Sequence, residues 1–169
     1  MPKIIKNLES RLTEEAQAQI AQFGYSAVTI RSVAKACGVG VGTVYNYFPS
    51  KDALLASYML SDWTRCVDAI QAVSTYSESP EPVVHCIYDQ LLAFAQRHKP
   101  VFQDEAAAAS FAGSSSRYHG LLRSQLAAPL RKFCESDYAA EFIAEALLTW
   151  TMEGRSPEQL LPILLSLLQ

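Results

Sequence analysis

The sequence predicts an all-α chain: an N-terminal three-helix head containing a helix-turn-helix, set on a larger C-terminal helical body. Three observations predict it. Apolar residues recur at steps of three and four from Leu8 to the C-terminal leucines. No stretch shows the two-residue alternation of a strand, and a glycine-marked corner joins two short helical patterns between Thr29 and Phe48. At 169 residues, 50% hydrophobic and 18% charged, the chain is long enough to bury a sizeable core and too short for two large domains.

Leu8, Leu12, Ala16, Ile20 and Phe23 mark one face of a first helix that ends at Gly24. Thr29 is placed to cap a second helix, whose buried face is Ile30, Val33, Ala34 and Cys37. Gly38 sits where a helix C-terminus favours positive φ, and Val39 can plug the inside of the turn. The third helix starts at Gly40 or Val41 and must stop at Pro49. Val44 and Phe48 face inward, which leaves Val41, Gly42, Thr43, Tyr45, Asn46 and Tyr47 on or near the outer side. Two short helices joined by so tight a corner form a helix-turn-helix, whose second member lies in the DNA major groove. A plain corner of a helical bundle has the same outline, and composition separates the two. Three of the seven glycines (Gly38, Gly40, Gly42) fall within five residues. Gly42 lies inside a helix, at a cost of about 1 kcal/mol relative to alanine, which marks close approach of another backbone or a ligand.

Ser50 caps a fourth helix with Asp52 near its positive end, and Leu54, Leu55, Tyr58, Met59, Asp62, Trp63, Cys66, Val67 and Ile70 follow at helical spacing. Ser74 to Pro82 reads as a polar loop. The next helix carries Val84, Ile87, Tyr88, Leu91, Leu92 and Ala95 to about Lys99, where Pro100 is expected to break it. Four alanines, Ala106 to Ala109, suggest close helix packing, and Gly113 to Ser116 a flexible hinge. Beyond it Tyr118, Leu121, Leu122, Leu126, Leu130 and Phe133 continue a helical face with a kink at Pro129. Asp137 to Glu153 repeats the pattern through Phe142, Ile143, Ala146, Leu147 and Trp150. Ser156-Pro157-Glu158-Gln159 reads as a capping box, and the last helix, Leu160 to Leu168, is apolar nearly all round. Its outer side should therefore meet a second copy of the chain.

Net charge is −3, which argues against a generic nucleic-acid binder. The distribution argues the other way: residues 1 to 52 carry six Lys/Arg and four acids, and the remainder is net acidic. Cys37, Cys66, Cys86 and Cys134 lack C-x-x-C spacing and read as isolated thiols of a reducing compartment. Lys3 and Lys6 lead into an amphipathic helix rather than an apolar run, so no signal peptide is expected, and no apolar tract approaches the ~20 residues of a membrane span. A cytoplasmic location follows. His85, His98 and His119 have no metal-ligand spacing and no glycine-rich phosphate loop follows a strand, so no enzyme, metal, cofactor or catalytic residue is expected.

The spaced residues Gly24-Tyr25, Thr29-Ile30-Arg31-Ser32-Val33-Ala34, Cys37 through Phe48 and Ser50-Lys51-Asp52-Ala53-Leu54 together resemble the DNA-binding domain of the TetR family of transcriptional regulators. The resemblance covers about the first third of the chain. It departs at Gly40, commonly Ser in the family, and at Val41, often basic there; one hydroxyl and one cation that could face phosphate are missing. The resemblance implies a DNA-binding domain over 1–52, a ligand-binding and dimerisation domain over 53–169, and a homodimer on double-stranded operator DNA. It further implies that Thr29, Tyr45, Tyr47 and Lys51 hold phosphates, that Arg31, Val41, Thr43 and Asn46 sit over base edges, and that Gly42 lets the backbone come close. With the apolar last helix it implies a twofold four-helix interface centred on Phe142, Leu147, Trp150, Leu161, Leu164 and Leu168. Trp63, Tyr88, Phe94, Phe102, Phe111, Tyr118 and Trp150 supply aromatic lining for a pocket in the body, with His85, Asp89, Glu105 and His119 as polar groups. No cationic cluster suits a multiply phosphorylated effector, so an apolar or aromatic one is expected. The resulting expectation is a ligand-released repressor. The alternative is a helical protein-interaction module that has lost DNA binding, for which Gly40 and Val41 are the motives.

Overall fold

The computed structural model describes residues 7–111 and 115–168, and every described element is helical. The described residues fall into two compact units, residues 7–62 with 98–111 and residues 63–97 with 115–168.

The first unit opens with α1 (Leu8–Phe23), which buries Leu8, Leu12, Ala16 and Ile20. Phe23, expected on that face, is instead exposed, because the chain turns away at Gly24 (φ 81°) before a fifth step can be buried. A 3-10 turn, Tyr25–Ala27, leads to α2 (Ile30–Ala36). Thr29 caps α2 as expected, and the cap is reciprocal: Ser32 N–H donates to Thr29 Oγ1 at 3.0 Å, while Thr29 N–H donates to Ser32 Oγ at 3.1 Å. At the other end Gly38 (φ 69°) permits the left-handed turn, with Val39 N–H bonded to Ala34 O and Gly38 N–H to Lys35 O. Arg11 of α1 adds a guanidinium bond to Cys37 O at 3.0 Å.

Helix α3 (Val41–Tyr45) follows from an N-cap at Gly40, and α4 (Lys51–Tyr76) from Ser50. Leu54, Leu55 and Tyr58 of α4 join Ile30, Val33, Ala34, Val44 and Phe48 in one apolar cluster. That cluster also contains Val101 and Ala107, from far downstream. Helix α5 (Pro80–Phe102) therefore runs through Pro100, where a break was expected. A proline so near the end forfeits one backbone bond, Gln103 N–H still closes on Lys99 O at 3.0 Å, and the burial of Val101 favours continuing. Asp104 then caps α6 (Glu105–Phe111), accepting from Ala106 N–H at 3.0 Å and Ala107 N–H at 3.1 Å. Of the four alanines only Ala107 is buried, so the expected tight packing reduces to one contact.

In the second unit the expected polar loop shortens to residues 77–79. Ser74 stays helical and buried by donating its hydroxyl to Pro129 O at 3.1 Å, and Lys132 caps the helix end through Ser74 O and Ser77 O. Residues 113 and 114 of the expected hinge lie outside the described residues, and Ser115 already opens α7 (Ser115–Ala127). Pro129 lies in a 3-10 turn, Ala128–Phe133, rather than at a kink. Helix α8 (Asp137–Met152) is capped by Ser136 Oγ, which accepts from Ala139 N–H, and α9 (Pro157–Ser166) starts from Ser156. The Ser156 hydroxyl makes no capping bond to the α9 amides, so the expected capping box is not formed.

Candidate nucleic-acid interface

Helix α3 is short and would not persist alone; it is held from behind. Val44 is fully buried and Phe48 nearly so, and the Tyr47 and Phe48 amides both close on Val44 O at 2.9 Å, which fixes the turn leaving the helix. What this leaves outward is the side that the periodicity placed away from the core. Gly42, Tyr45 (52% exposed) and Asn46 are exposed, and Val41, Thr43 and Tyr47 are half-buried, with Val41 and Tyr47 leaning on the apolar cluster. Thr29 and Arg31 are exposed at the start of α2. A Cβ added at Gly42 would meet nothing within 4 Å, so glycine is not required there by this chain's own packing.

Lys51 has an occupation within its own chain that sequence reasoning missed. Its ammonium donates to Tyr25 O at 3.0 Å and lies 3.7 Å from the centroid of the Tyr25 ring. The Tyr25 hydroxyl donates to Asp52 Oδ1, and burial, reinforced by that carboxylate, pushes the phenol up to about 12. An ammonium carries three donors, so Lys51 can brace the 3-10 turn and still reach an anion. Tyr25 was legible only as half of a Gly-Tyr pair in the family pattern, with no local sign of its partners.

The expected effector residues divide. Within the second unit Trp63, Tyr88 and Phe94 are buried; Trp63 and Phe94 meet edge to face at 5.5 Å, and Trp63 Nε1 donates to Gln125 Oε1 at 2.7 Å. The Tyr88 hydroxyl donates to Arg155 O at 2.9 Å. Tyr118 and Trp150 are exposed in that unit, and Phe102 is exposed in the first. The Phe111 side chain lies outside the described ones. His85, Asp89 and Glu105, expected as polar lining, are corrected to exposed positions, and His119 is half-exposed against Glu145 at 2.8 Å. Burial holds the Glu145 carboxyl up, but hydrogen bonds from His119 and Thr149 outweigh it and leave the group below its ordinary range. The buried polar pair that the sequence did not reveal is Asp62 with His98, at 2.8 Å in the first unit.

The expected dimer face needs a similar correction. Leu147, Leu161 and Leu164 are covered by their own chain, because α9 turns its 160, 161 and 164 side inward. Phe142 (51% exposed), Trp150, Ile163 (58%) and Leu167 remain outside, with Leu168 half-buried.

Among the described residues there is no group of three or more metal-ligating side chains and no helix long and apolar enough to cross a membrane. Comparison with known proteins agrees with the geometry of the head. Residues 12–58 match the family model of bacterial regulatory proteins of the tetR family. The chain is 31% identical over 111 residues to the HTH-type transcriptional repressor KstR of Rhodococcus jostii, covering 66% of this chain and 51% of that protein. It is 34% identical over 76 residues to the uncharacterised HTH-type transcriptional regulator YuxN of Bacillus subtilis, covering 45% of this chain and 26% of that one. The chain thus spans about half or less of these relatives. The crystal structure of the TetR family repressor AlkX from Dietzia superposes with a TM-score of 0.63 at 18% identity, over 96% of this chain and 97% of that one, which extends the shared fold through the body. The head, residues 12–58, thus matches the tetR family of bacterial regulatory proteins in sequence, and the whole chain shares the fold of a TetR family repressor.

Proposed function

We propose that the chain is a repressor that binds a palindromic operator as a homodimer and releases it when a small apolar or aromatic effector binds. The observation that carries the reading is the construction of α3: two buried anchors behind, Val44 and Phe48, and Gly42, Tyr45 and Asn46 exposed in front. A helix anchored only to support the fold has no use for an exposed glycine. In a dimer the two α3 helices would enter successive major grooves about 34–36 Å apart. Thr29, Tyr45, Tyr47 and Lys51 would hold phosphates; Arg31, Val41, Thr43 and Asn46 would read base edges. Asn46 suits adenine, and Val41 with the Thr43 methyl suits thymine. The name of KstR supports repression, and the aromatic interior at Trp63, Tyr88 and Phe94 supports an effector of that chemistry.

The test is binding of the purified chain to an inverted repeat lying upstream of its own gene, followed by fluorescence anisotropy at several salt concentrations. A salt-dependent, sequence-preferring shift is expected, and its absence would leave the protein-interaction reading. Two substitutions sharpen the outcome. Gly42→Ala introduces no clash and removes a flexible residue from a helix, so folding stability should rise by about 0.5–1 kcal/mol. Operator affinity should fall about tenfold, because the new methyl stands where DNA backbone approaches. Asn46→Ala should relax preference at one base pair by about 1–3 kcal/mol and leave the other positions unchanged in a binding-site selection. Uniform loss across the operator would refute the assignment of Asn46.

A further inference from the structure

We infer that Asp104 is a positioning residue for DNA recognition, a clasp that fixes the 3-10 turn in front of α2 and through it Thr29, Arg31 and α3. The inference rests on the DNA-binding reading above. Asp104 lies 78 residues from Ser26 in sequence, and its two oxygens do different work. Oδ1 accepts from the Ala106 and Ala107 amides and so caps α6. Oδ2 accepts the Ser26 backbone N–H at 3.2 Å and the Ser26 hydroxyl at 2.9 Å; that hydroxyl also lies 3.1 Å from Oδ1. One oxygen suffices to cap a helix, and serine, threonine or asparagine would serve. The second oxygen adds nothing to α6. Its partner is the turn that sets where α2 begins.

That turn is held on its other side by Tyr25, which is buried, bonded to Asp52 and covered by Lys51. Val28 is also buried, and Thr29 follows as the α2 cap. Around the clasp, Val101 and Ala107 pack in the same cluster as Ile30, Val33, Val44 and Phe48. Apolar contact of this kind holds the elements together but is not directional, whereas two hydrogen bonds donated by one residue to a single carboxylate fix an orientation. The Ala107 amide, followed by the two donors of Ser26, holds the Asp104 carboxyl below its ordinary range, so the clasp is ionised at neutral pH and loosens only as pH falls through that lowered value.

Two variants separate the clasp from the cap. Asp104→Asn keeps one acceptor for α6 and replaces the other with an amide that cannot accept the Ser26 N–H. Ser26→Ala removes the hydroxyl and leaves Asp104 capping α6. Three measurements are made on each variant and on the double variant: anisotropy with labelled operator, amide hydrogen exchange across residues 30–48 without DNA, and the thermal unfolding midpoint. Each single variant should bind operator about three- to tenfold more weakly, and the double variant no more weakly than the singles. Exchange through α2 and α3 should quicken severalfold while the unfolding midpoint holds. Unchanged exchange, unchanged affinity, or weaker binding matched by a general loss of stability would each overturn the inference. If the unsubstituted chain binds no operator, the DNA-binding reading fails on its own, and the exchange measurement still decides whether Asp104 orders α2 and α3.

Discussion

His98→Ala is expected to cost about 3–5 kcal/mol of folding stability, a large part of the margin that holds a domain of this size. His98 of α5 and Asp62 of α4 are each 1% exposed, with Nε2 to Oδ2 at 2.8 Å. The imidazole is packed among rings, 5.0 Å from Tyr58 and 6.3 Å from Phe102. Truncating it removes ring packing and takes one hydrogen-bond partner from a buried carboxylate, two losses at a site closed to water. Replacing both residues together, Asp62→Leu with His98→Leu, should cost less than the single change, because the carboxylate that loses its imidazole is removed with it. Urea unfolding monitored by circular dichroism would measure both, with an unchanged slope showing that the same surface is exposed. A single-variant loss below about 1 kcal/mol would mean that the pair is not what joins α4 to α5 within the first unit.

The head was legible because its constraints are local. Thr29 caps four residues of chain, Gly38 takes a backbone angle that few residues tolerate, and Val44 with Phe48 are one helical step apart; each signal sits within a turn of its effect. The body was legible in number and kind of helix but less so in its ends and faces. Pro100 is a strong local stop, overruled because Val101 is buried in the first unit's cluster. Ser74 reads as loop and is helical because its hydroxyl finds Pro129 O, 55 residues away. The Asp62–His98 and Ser26–Asp104 pairs join positions 36 and 78 residues apart, and no periodicity marks such partners. Helix α9 shows the limit most plainly. A segment apolar on every side identifies its buried face only once its neighbours are placed, so Leu161 and Leu164 were expected outside and Ile163 and Leu167 are there instead.

That correction determines how the proposed dimer should be broken. Ile163→Lys with Leu167→Lys is expected to leave the protomer folded, convert the dimer to monomer and weaken operator binding at least about 100-fold, the gain that joining two weak half-site contacts supplies. Both side chains are more than half exposed, so little packing within the protomer is lost, and lysine near a helix C-terminus meets the favourable end of the dipole. Across a twofold axis the same substitutions bring four ammonium groups into a face that Phe142 and Trp150 leave apolar, and burying them there would require desolvating unpaired charge. Leu164→Ala provides the contrast. Leu164 is buried in its own chain, so truncation should lower stability by about 2–5 kcal/mol without acting on the interface first. Sedimentation velocity at micromolar concentration and a thermal melt of each variant distinguish the two effects. A double-lysine variant that stays dimeric would place the contact between copies elsewhere than on α8 and α9, while a monomer that still binds operator at full strength would show that a single α3 reads the site alone.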